Sequence, residues 1–335
     1  MTPAVTIVVP TFNEEDWIEE CLRTLDAQDY PNIEAIVVVD GRSTDATRAL
    51  VETYASGHPR VELLDNPRRS AAAALNVGLA ACRSEIFLRA DAHTFYAPDF
   101  ATRSVEVLLE TGADDVGGPM VPVGRNPFGK AVAAVTTSKF GMGSGAFHYA
   151  SERQDVDTVF LGCYRTDTLR ALGGWDEDNL QWAAEDHELN FRLTQQGGRI
   201  VCDPSIKSTY FPRDTPRALW RQYFNYGVGK VSTLRKHKQL PTLRPLAPAA
   251  LVAGLAASTT AAAVTRRPIF LLPAVAYAGA ASLAAGSLAR NDEADVARCL
   301  AALGICHVAY GAGFWSGMSR VMRKQPFDRL PAKRR

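Results

Sequence analysis

The chain has 335 residues, enough for one large domain or two moderate ones with a full core and no need of disulfide staples. Its 37 basic and 36 acidic residues leave a formal charge of +1, which excludes a global field for drawing in nucleic acid and makes any charge logic local. Six scattered cysteines, Cys21, Cys82, Cys163, Cys202, Cys299 and Cys306, show no C-x-x-C spacing and read as buried free thiols of a reducing compartment.

The first apolar run, AVTIVVP, is seven residues long and lacks the flanks of an export signal, so it predicts a strand and a main body that stays in the cytosol. Four short β-branched runs, at residues 5–10, 34–40, 61–65 and 85–91, alternate with helical patterns. The clearest of these are Ile18, Cys21, Leu22 and Leu25 at i, i+3, i+4, i+7, and the stretch SAAAALNVGLAAC. Near-continuous apolar strands separated by helices are what a parallel sheet covered on both faces requires. The spacing therefore predicts a doubly wound α/β domain with ligands outside the carboxyl ends of its strands.

Past Gly118 the pattern loosens. PMVPVGRNPFGKAV and KFGMGSGAFHY are punctuated by Gly and Pro and predict loops around a short helix, of the kind that shapes a second substrate's site. A strand at residues 158–165 follows, then a helix in AAEDHELNFRLTQQGG closed by glycine, and RIVCD as the last strand. Residues 216–238 interleave Trp220, Tyr223, Phe224 and Tyr226 with Arg217, Arg221, Lys230, Arg235, Lys236 and Lys238. An ordinary surface helix has such a mixture too, but its place just before long apolar runs favours a membrane headgroup zone.

Three apolar segments, 245–264, 269–289 and 297–318, approach the ~20 residues that cross a bilayer. The first carries two Pro and several Thr and Ser. From a cytosolic amino terminus, three crossings would put the tail SRVMRKQPFDRLPAKRR outside, against the positive-inside tendency. Two full spans, with the first segment re-entrant or interfacial, keep Arg266, Arg267 and the tail inside and RNDEAD outside. Two spans are the preferred expectation and three the alternative. The expected division is an α/β domain at 1–215, an amphipathic interfacial segment at 216–244, and transmembrane helices with a basic tail at 245–335.

Polar residues gather at three of the four strand ends. In FLRADAHTFYAPDF, Asp91 and His93 stand at i and i+2, which an extended chain projects to one side, able to close on one cation or phosphate. Acidic and polar residues are also ordinary where a strand runs out into a loop. VVPTFNEE sets Thr11, Asn13 and Glu14 where the first strand meets the first helix, and Asn13 with Asp16 after it reads equally as an N-cap. VVVDGRSTDAT sets Asp40 before a Gly turn and a Ser43-capped helix. Its carboxylate could accept the N3–H of a uracil or a ribose hydroxyl, or serve the turn alone.

In this order VVPTFNEE, IVVVDGRSTDAT, RADAH, GGWDE and EDHELNFRL resemble the successive motifs of glycosyltransferase family 2, inverting nucleotide-sugar transferases of the GT-A fold. The likeness runs over about residues 5–198, and with QYFNYGVGK it is similar to the succinoglycan-type glucosyltransferases of bacterial exopolysaccharide assembly. The resemblance implies that Pro10, Thr11, Asn13, Glu14, Asp40 and Asp91 hold the nucleotide sugar. It implies that Asp91 and His93 bind a divalent metal on the diphosphate, His93 standing for the usual second aspartate. An imidazole ligand favours Mn²⁺ over Mg²⁺, and direct contact of His93 with phosphate is the alternative. Gly41 replaces the second aspartate of the family's DDG motif, so the contact that residue makes is in doubt.

Asp186 matches the family's proposed general base, with Glu185 orienting it or the acceptor. A first-turn helix acid favoured by the helix dipole is the plainer account of Asp186. Asn66, Arg68, Arg69 and Asn76 resemble a nucleotide-side segment but also suit a helix surface. The Q-x-x-R-W of processive relatives is absent, which favours addition of one sugar.

The resemblance thus implies a hexosyltransferase of the bacterial cytoplasmic membrane, its catalytic domain and basic tail on the cytoplasmic side. UDP-glucose is the expected donor and a polyprenyl-linked saccharide the acceptor. Membrane lipid and other polysaccharide-assembly proteins are expected partners, and nucleic acid is not. Polyprenyl-phosphate sugar synthesis is the enzymatic alternative, and a nucleotide-sugar-binding membrane scaffold the non-enzymatic one.

Overall fold

In the computed structural model, which describes residues 2–143, 145–180, 183–239, 243–291, 294–325 and 327, the alternating runs become alternating strands and helices. In chain order these are β1 (Val5–Thr11), α1 (Ile18–Asp26), β2 (Ile33–Asp40), α2 (Thr47–Gly57), β3 (Val61–Asp65), α3 (Ala71–Ala81) and β4 (Ile86–Arg89). Next come β5 (Thr94–Tyr96), α4 (Phe100–Thr111), β6 (Asp115–Gly118), β7 (Val121–Pro122), α5 (Pro127–Thr136) and α6 (Lys139–Met142). Then follow β8 (Gln154–Asp155), β9 (Phe160–Arg165), α7 (Thr166–Ala171), α8 (Glu185–Gln195), β10 (Ile200–Cys202) and β11 (Ser208–Tyr210). Four long helices complete the chain: α9 (Pro216–His237), α10 (Leu246–Thr265), α11 (Leu272–Asn291) and α12 (Val296–Met322). The chain divides into two units, Met1–Val121 with Ala146–Tyr210, and Pro122–Gly145 with Phe211–Arg335.

The first unit is an eight-stranded sheet in the order β3-β2-β1-β4-β9-β6-β10-β8. Both faces are covered. Ile7 and Val9 join one buried cluster with Leu22, Leu25 and Leu108, while Val8, pointing the other way, joins Leu75, Phe87 and Trp175. Strands β3, β2, β1 and β4 are parallel, as expected. The sheet as a whole is mixed, because β9 lies antiparallel between β4 and β6 and β8 antiparallel to β10. Between β6 and β9 the described residues of this unit form no α-helix to carry a parallel crossover, so the right-handed βαβ rule does not set the direction of β9. The stretch RIVCD is not the last strand either, since β11 follows and pairs antiparallel with β5.

In the second unit, the short helix expected among the loops of the Gly/Pro-rich stretch is the ten-residue α5. Asn126 caps it by accepting the Gly129 N–H at 2.7 Å, and Pro127 occupies a first-turn position where no N–H is needed. Its Ala131, Val132 and Val135 are buried with Leu219, Cys299, Leu303 and Cys306. Helix α9 is more than an interfacial helix: it buries Leu219, Tyr223, Val228, Lys230 and Val231 while Trp220 and Tyr226 stay exposed.

Helices α9 and α12 meet along glycines. A Cβ on Gly227 would land on the Tyr310 carbonyl and one on Gly313 on the Phe224 carbonyl, and at Gly317 it would lie 2.8 Å from Val231 Cβ. Small residues of this kind let two backbones approach closely where lipid offers no hydrophobic gain for association. His307 on α12 is fully partnered: its Nε2–H donates to the Phe140 carbonyl at 3.1 Å, and Nδ1 lies 3.0 Å from the Tyr277 hydroxyl.

Helix α10, expected to be re-entrant or interfacial, is continuous over 20 residues. Its two prolines explain why. Pro245 is the N-cap and Pro248 lies in the first turn, where a missing N–H breaks no ladder bond. Thr259 and Thr265 return their hydroxyls to the carbonyls of Leu255 and Ala261, at 2.7 and 2.6 Å. Among the described residues, three helices are therefore long and apolar enough to cross a membrane. The tail beyond residue 327 and residues 292–293 of the acidic loop, on which the two-span expectation leaned, lie outside the described residues.

The glycine seam yields an expected outcome. Gly313→Ala and Gly227→Ala should each lower stability in detergent by about 1–3 kcal/mol through overpacking. Gly254→Ala, with nothing within 4 Å of the added carbon, should not. Thermal unfolding of the three variants checks this, and equal melting would mean that the seam does not hold the helices.

Candidate functional site

Two loops at the carboxyl ends of β1 and β2 clasp each other. Asn13 adopts a left-handed backbone (φ 55°), and its Oδ1 accepts the Thr44 N–H at 2.8 Å while its own N–H donates to Ser43 Oγ at 2.9 Å. The Glu14 N–H donates to Thr47 Oγ1 at 2.8 Å, and Glu15 Oε2 accepts the Ala46 N–H at 2.9 Å. Helix α1 begins only after Trp17, so Asn13 caps the neighbouring loop and not its own helix. The Thr11 carbonyl accepts the Gly41 N–H at 2.8 Å, its hydroxyl donates to the Val9 carbonyl at 3.2 Å, and Pro10 is half-buried beside it.

Asp40 is wholly buried and accepts both the N–H (3.1 Å) and the O–H (2.5 Å) of Ser43, with Arg48 at 3.6 Å. Ser43 consequently does not cap α2; Asp45 Oδ1 takes the Thr47 N–H instead, at 3.0 Å. These bonds fix the turn that follows β2.

The fourth strand stops at Arg89, short of Asp91. Residues 91–94 form a turn closed by the Thr94 N–H on the Asp91 carbonyl at 3.1 Å, so the extended-chain argument for Asp91 and His93 does not describe their geometry. Tyr96 fixes this turn from below: its hydroxyl accepts the Asp91 N–H at 2.7 Å and donates to the Asp91 carbonyl at 3.0 Å. His93 Nδ1 is buried without a hydrogen-bond partner, 3.5 Å from Glu14 Oε1, which brings the turn to the first loop.

Arg89 joins this turn to α8. Its side chain is only 8% exposed, and Nη2 lies 3.2 Å from Asp91 Oδ1 and 3.3 Å from Glu185 Oε1 while Nη1 donates to Asp186 Oδ2. Burial opposes its charge, but the carboxylates of Asp186, Asp91 and Glu185 more than offset this and keep it a cation. Burial and the neighbouring Asp186 charge raise the Glu185 carboxyl above its ordinary range against the pull of Arg89.

Asp186 has a second support in the Trp175 indole, whose Nε1–H donates to Oδ1 at 3.0 Å. Trp175 is held in turn by Asn76, which accepts its backbone N–H at 2.8 Å and donates to its carbonyl at 2.9 Å. Gly174 allows this approach: its φ is 70°, and a Cβ there would strike Asn76 Oδ1. Arg68 pairs with Glu177 at 2.8 Å and Asp178 at 2.5 Å. Asn76 and Arg68, read from the sequence as nucleotide-side or surface residues, thus brace the GGWDED turn.

Arg89, Trp175 and Tyr96 are the residues that motif reading missed. The signal for Arg89 was present, since a charge inside an otherwise apolar buried strand requires a partner. A metal fits the donor set in part. One guanidinium faces three carboxylates, leaving an excess of negative charge, and His93 offers an unpartnered buried nitrogen beside them. Among the described residues no group of three or more His, Cys, Asp or Glu converges as a complete cage. A divalent ion that takes further ligands from diphosphate and water does not need one.

Comparison with known proteins bears on the family and the fold. Residues 6–159 match the model of the family described as Glycosyl transferase family 2. The chain is 35% identical over 323 residues to the Succinoglycan biosynthesis protein ExoA of Rhizobium meliloti (strain 1021), covering 95% of this chain and 96% of that one. It is 29% identical to a dolichyl N-acetyl-alpha-D-glucosaminyl phosphate 3-beta-D-2,3-diacetamido-2,3-dideoxy-beta-D-glucuronosyltransferase of Methanococcus voltae, over 69% of this chain and 74% of that protein. In fold it resembles the mannosyltransferase PcManGT from Pyrobaculum calidifontis, solved with GDP-Man and Mn²⁺, with a TM-score of 0.64, 24% identity, and 92% of this chain and 87% of that one covered. The chain belongs to glycosyl transferase family 2, its first unit a GT-A domain and its carboxyl-terminal part a set of apolar helices able to span a membrane.

Proposed function

We propose that the protein transfers a hexose, glucose from UDP-glucose, to a hydroxyl of a polyprenyl-diphosphate-linked saccharide in exopolysaccharide or cell-envelope glycan synthesis, with inversion at the anomeric carbon. One observation carries the reading: Arg89 gathers Asp91, on the diphosphate side, and Asp186, on the acceptor side, about a single guanidinium. The likeness to a succinoglycan biosynthesis protein over nearly the whole chain supports the pathway class.

Asp186, oriented by Trp175 and Arg89, takes the proton of the acceptor hydroxyl as that oxygen attacks the anomeric carbon from the face opposite the diphosphate. The bond to the diphosphate oxygen breaks, and its electron pair leaves with the nucleoside diphosphate. A divalent ion held by Asp91 and His93, Mn²⁺ in preference to Mg²⁺, would supply positive charge against that developing on the leaving group. Pro10, Thr11, Asn13 and Glu14 hold the nucleotide, and Asp40 serves by fixing the turn beside them. Helices α10 to α12 in the cytoplasmic membrane, with the catalytic unit on the cytoplasmic side, tether the site to the surface that bears its acceptor and so raise the acceptor's effective concentration.

Purified protein in detergent with Mn²⁺ should release UDP from UDP-glucose only when a lipid-linked acceptor is added. Asp186→Asn should lower turnover by roughly a hundred- to ten-thousandfold while UDP binding persists; unimpaired turnover would remove Asp186 from the role of base. Arg89→Met strands three carboxylates and should cost about 3–5 kcal/mol of stability, so an unchanged melting temperature would contradict the ion-paired cluster. His93→Ala should raise the half-saturating Mn²⁺ concentration at least about tenfold. Weaker UDP binding at an unchanged Mn²⁺ requirement would instead make His93 a phosphate contact.

A further inference from the structure

Beneath Asp186 lies a buried polar cluster that the proposed reaction does not use. Asp115 on β6 is fully buried, and neither of its carboxyl oxygens has a donor in bonding geometry. Asn190 on α8, also fully buried, has the same deficit at Oδ1. Its amide nitrogen donates to Thr158 Oγ1 at 3.0 Å, which leaves Oδ1 as the end without a donor. Two groups of acceptors with no proton between them cost the full desolvation penalty of each.

The same cluster adjoins the helix that carries Asp186 and the indole that supports it. Asn190 follows Asp186 by four residues on α8, so the two share one helix face. Tyr164 on β9 brings its hydroxyl to Asp115: a Cβ at Gly162 would strike that hydroxyl and stand 2.5 Å from Asp115 Oδ1. The Tyr164 ring meets Trp175, the indole donor to Asp186, edge-on at 6.0 Å. Burial, then the charge of Asp186 and more weakly that of Asp114, push the Asp115 acid well above the ordinary carboxylate range, while the Tyr164 hydroxyl and the Asn190 amide act the other way. The other titratable groups that feel its charge are Cys163 on β9 and Cys202 on β10.

We propose that Asp115 is a protonated carboxylic acid whose O–H donates to Asn190 Oδ1 while its other oxygen stays on the side of the Tyr164 hydroxyl, making it a positioning residue that seats α8 and thereby aims Asp186. One proton joins the two sets of orphaned acceptors into a chain from Asp115 through Asn190 to Thr158. The effect on turnover rests on Asp186 being the base; the protonation does not.

Asp115→Asn and Asp115→Val in the full chain, in detergent, test this. Asparagine can donate to Asn190, so its kcat should stay within about twofold of the parent, whereas valine should lower kcat about tenfold at little-changed donor KM, the scale of one lost buried hydrogen bond. Because the folded acid is raised, folding takes up a proton above the ordinary carboxylate range, and the parent loses stability as pH rises from there toward the folded value. Asp115→Asn should remove that slope. The infrared spectrum at neutral pH should contain a protonated-carboxyl C=O band that Asp115→Asn abolishes.

An identical spectrum in the two proteins, or an asparagine variant as impaired as valine, would overturn the proposal. Should the valine variant fail to fold, the band and the pH slope still decide. A base reading refuted by Asp186→Asn would leave the band in place, so the two failures are distinguishable.

Discussion

A cation buried among three acids is the constraint on which this site is built. Taking Arg89 out of water is costly, and the arrangement is favourable only while Asp91, Glu185 and Asp186 remain close enough to compensate it. These acids come from two segments nearly a hundred residues apart in the chain, the turn after β4 and the first turn of α8. The guanidinium therefore does by charge what a hydrophobic contact cannot do at a wet strand end: it sets the angle as well as the distance between the two halves of the site. Trp175 and Tyr96 then remove the remaining freedom, one by holding the far oxygen of Asp186 and the other by gripping the backbone of Asp91 from both sides.

Much of the first unit was legible because its periods are local. The β-branched runs and the i, i+3, i+4, i+7 pattern of α1 each depend on burial of one face, and that is written in neighbouring residues. The five motifs located the loops for the same reason, since the residues of each motif are close in sequence. Direction was less legible. Strand β9 looks like its neighbours in composition, and nothing in FLGCYR encodes that it runs against them.

Partner choice was the least legible. Asn13 has the composition of a helix cap and Ser43 that of another, yet Asn13 bonds across the gap to Thr44 and Ser43, and Ser43 gives its own protons to Asp40, choices settled only when β1 and β2 lie side by side. Arg89 is read in a string as a lone charge; its meaning lies in Asp186, 97 residues further on. In helix α10, composition and position point in different directions. Its prolines and threonines weigh against a continuous helix on composition, whereas their positions, two at the start and the hydroxyls turned back onto the backbone, are compatible with one.

The excursion that carries α5 into the second unit has a practical corollary. Because Ala131, Val132 and Val135 are buried in one cluster with residues of α9, α11 and α12, cutting the chain after β11 would uncover them. It would leave a ten-residue apolar helix facing water in the middle of the fragment, as a sticky surface for self-association. A water-soluble form has to excise or rewrite residues 122–145 along with the tail, and the short span this would leave between β6 and β8 is the place where such a redesign would succeed or fail.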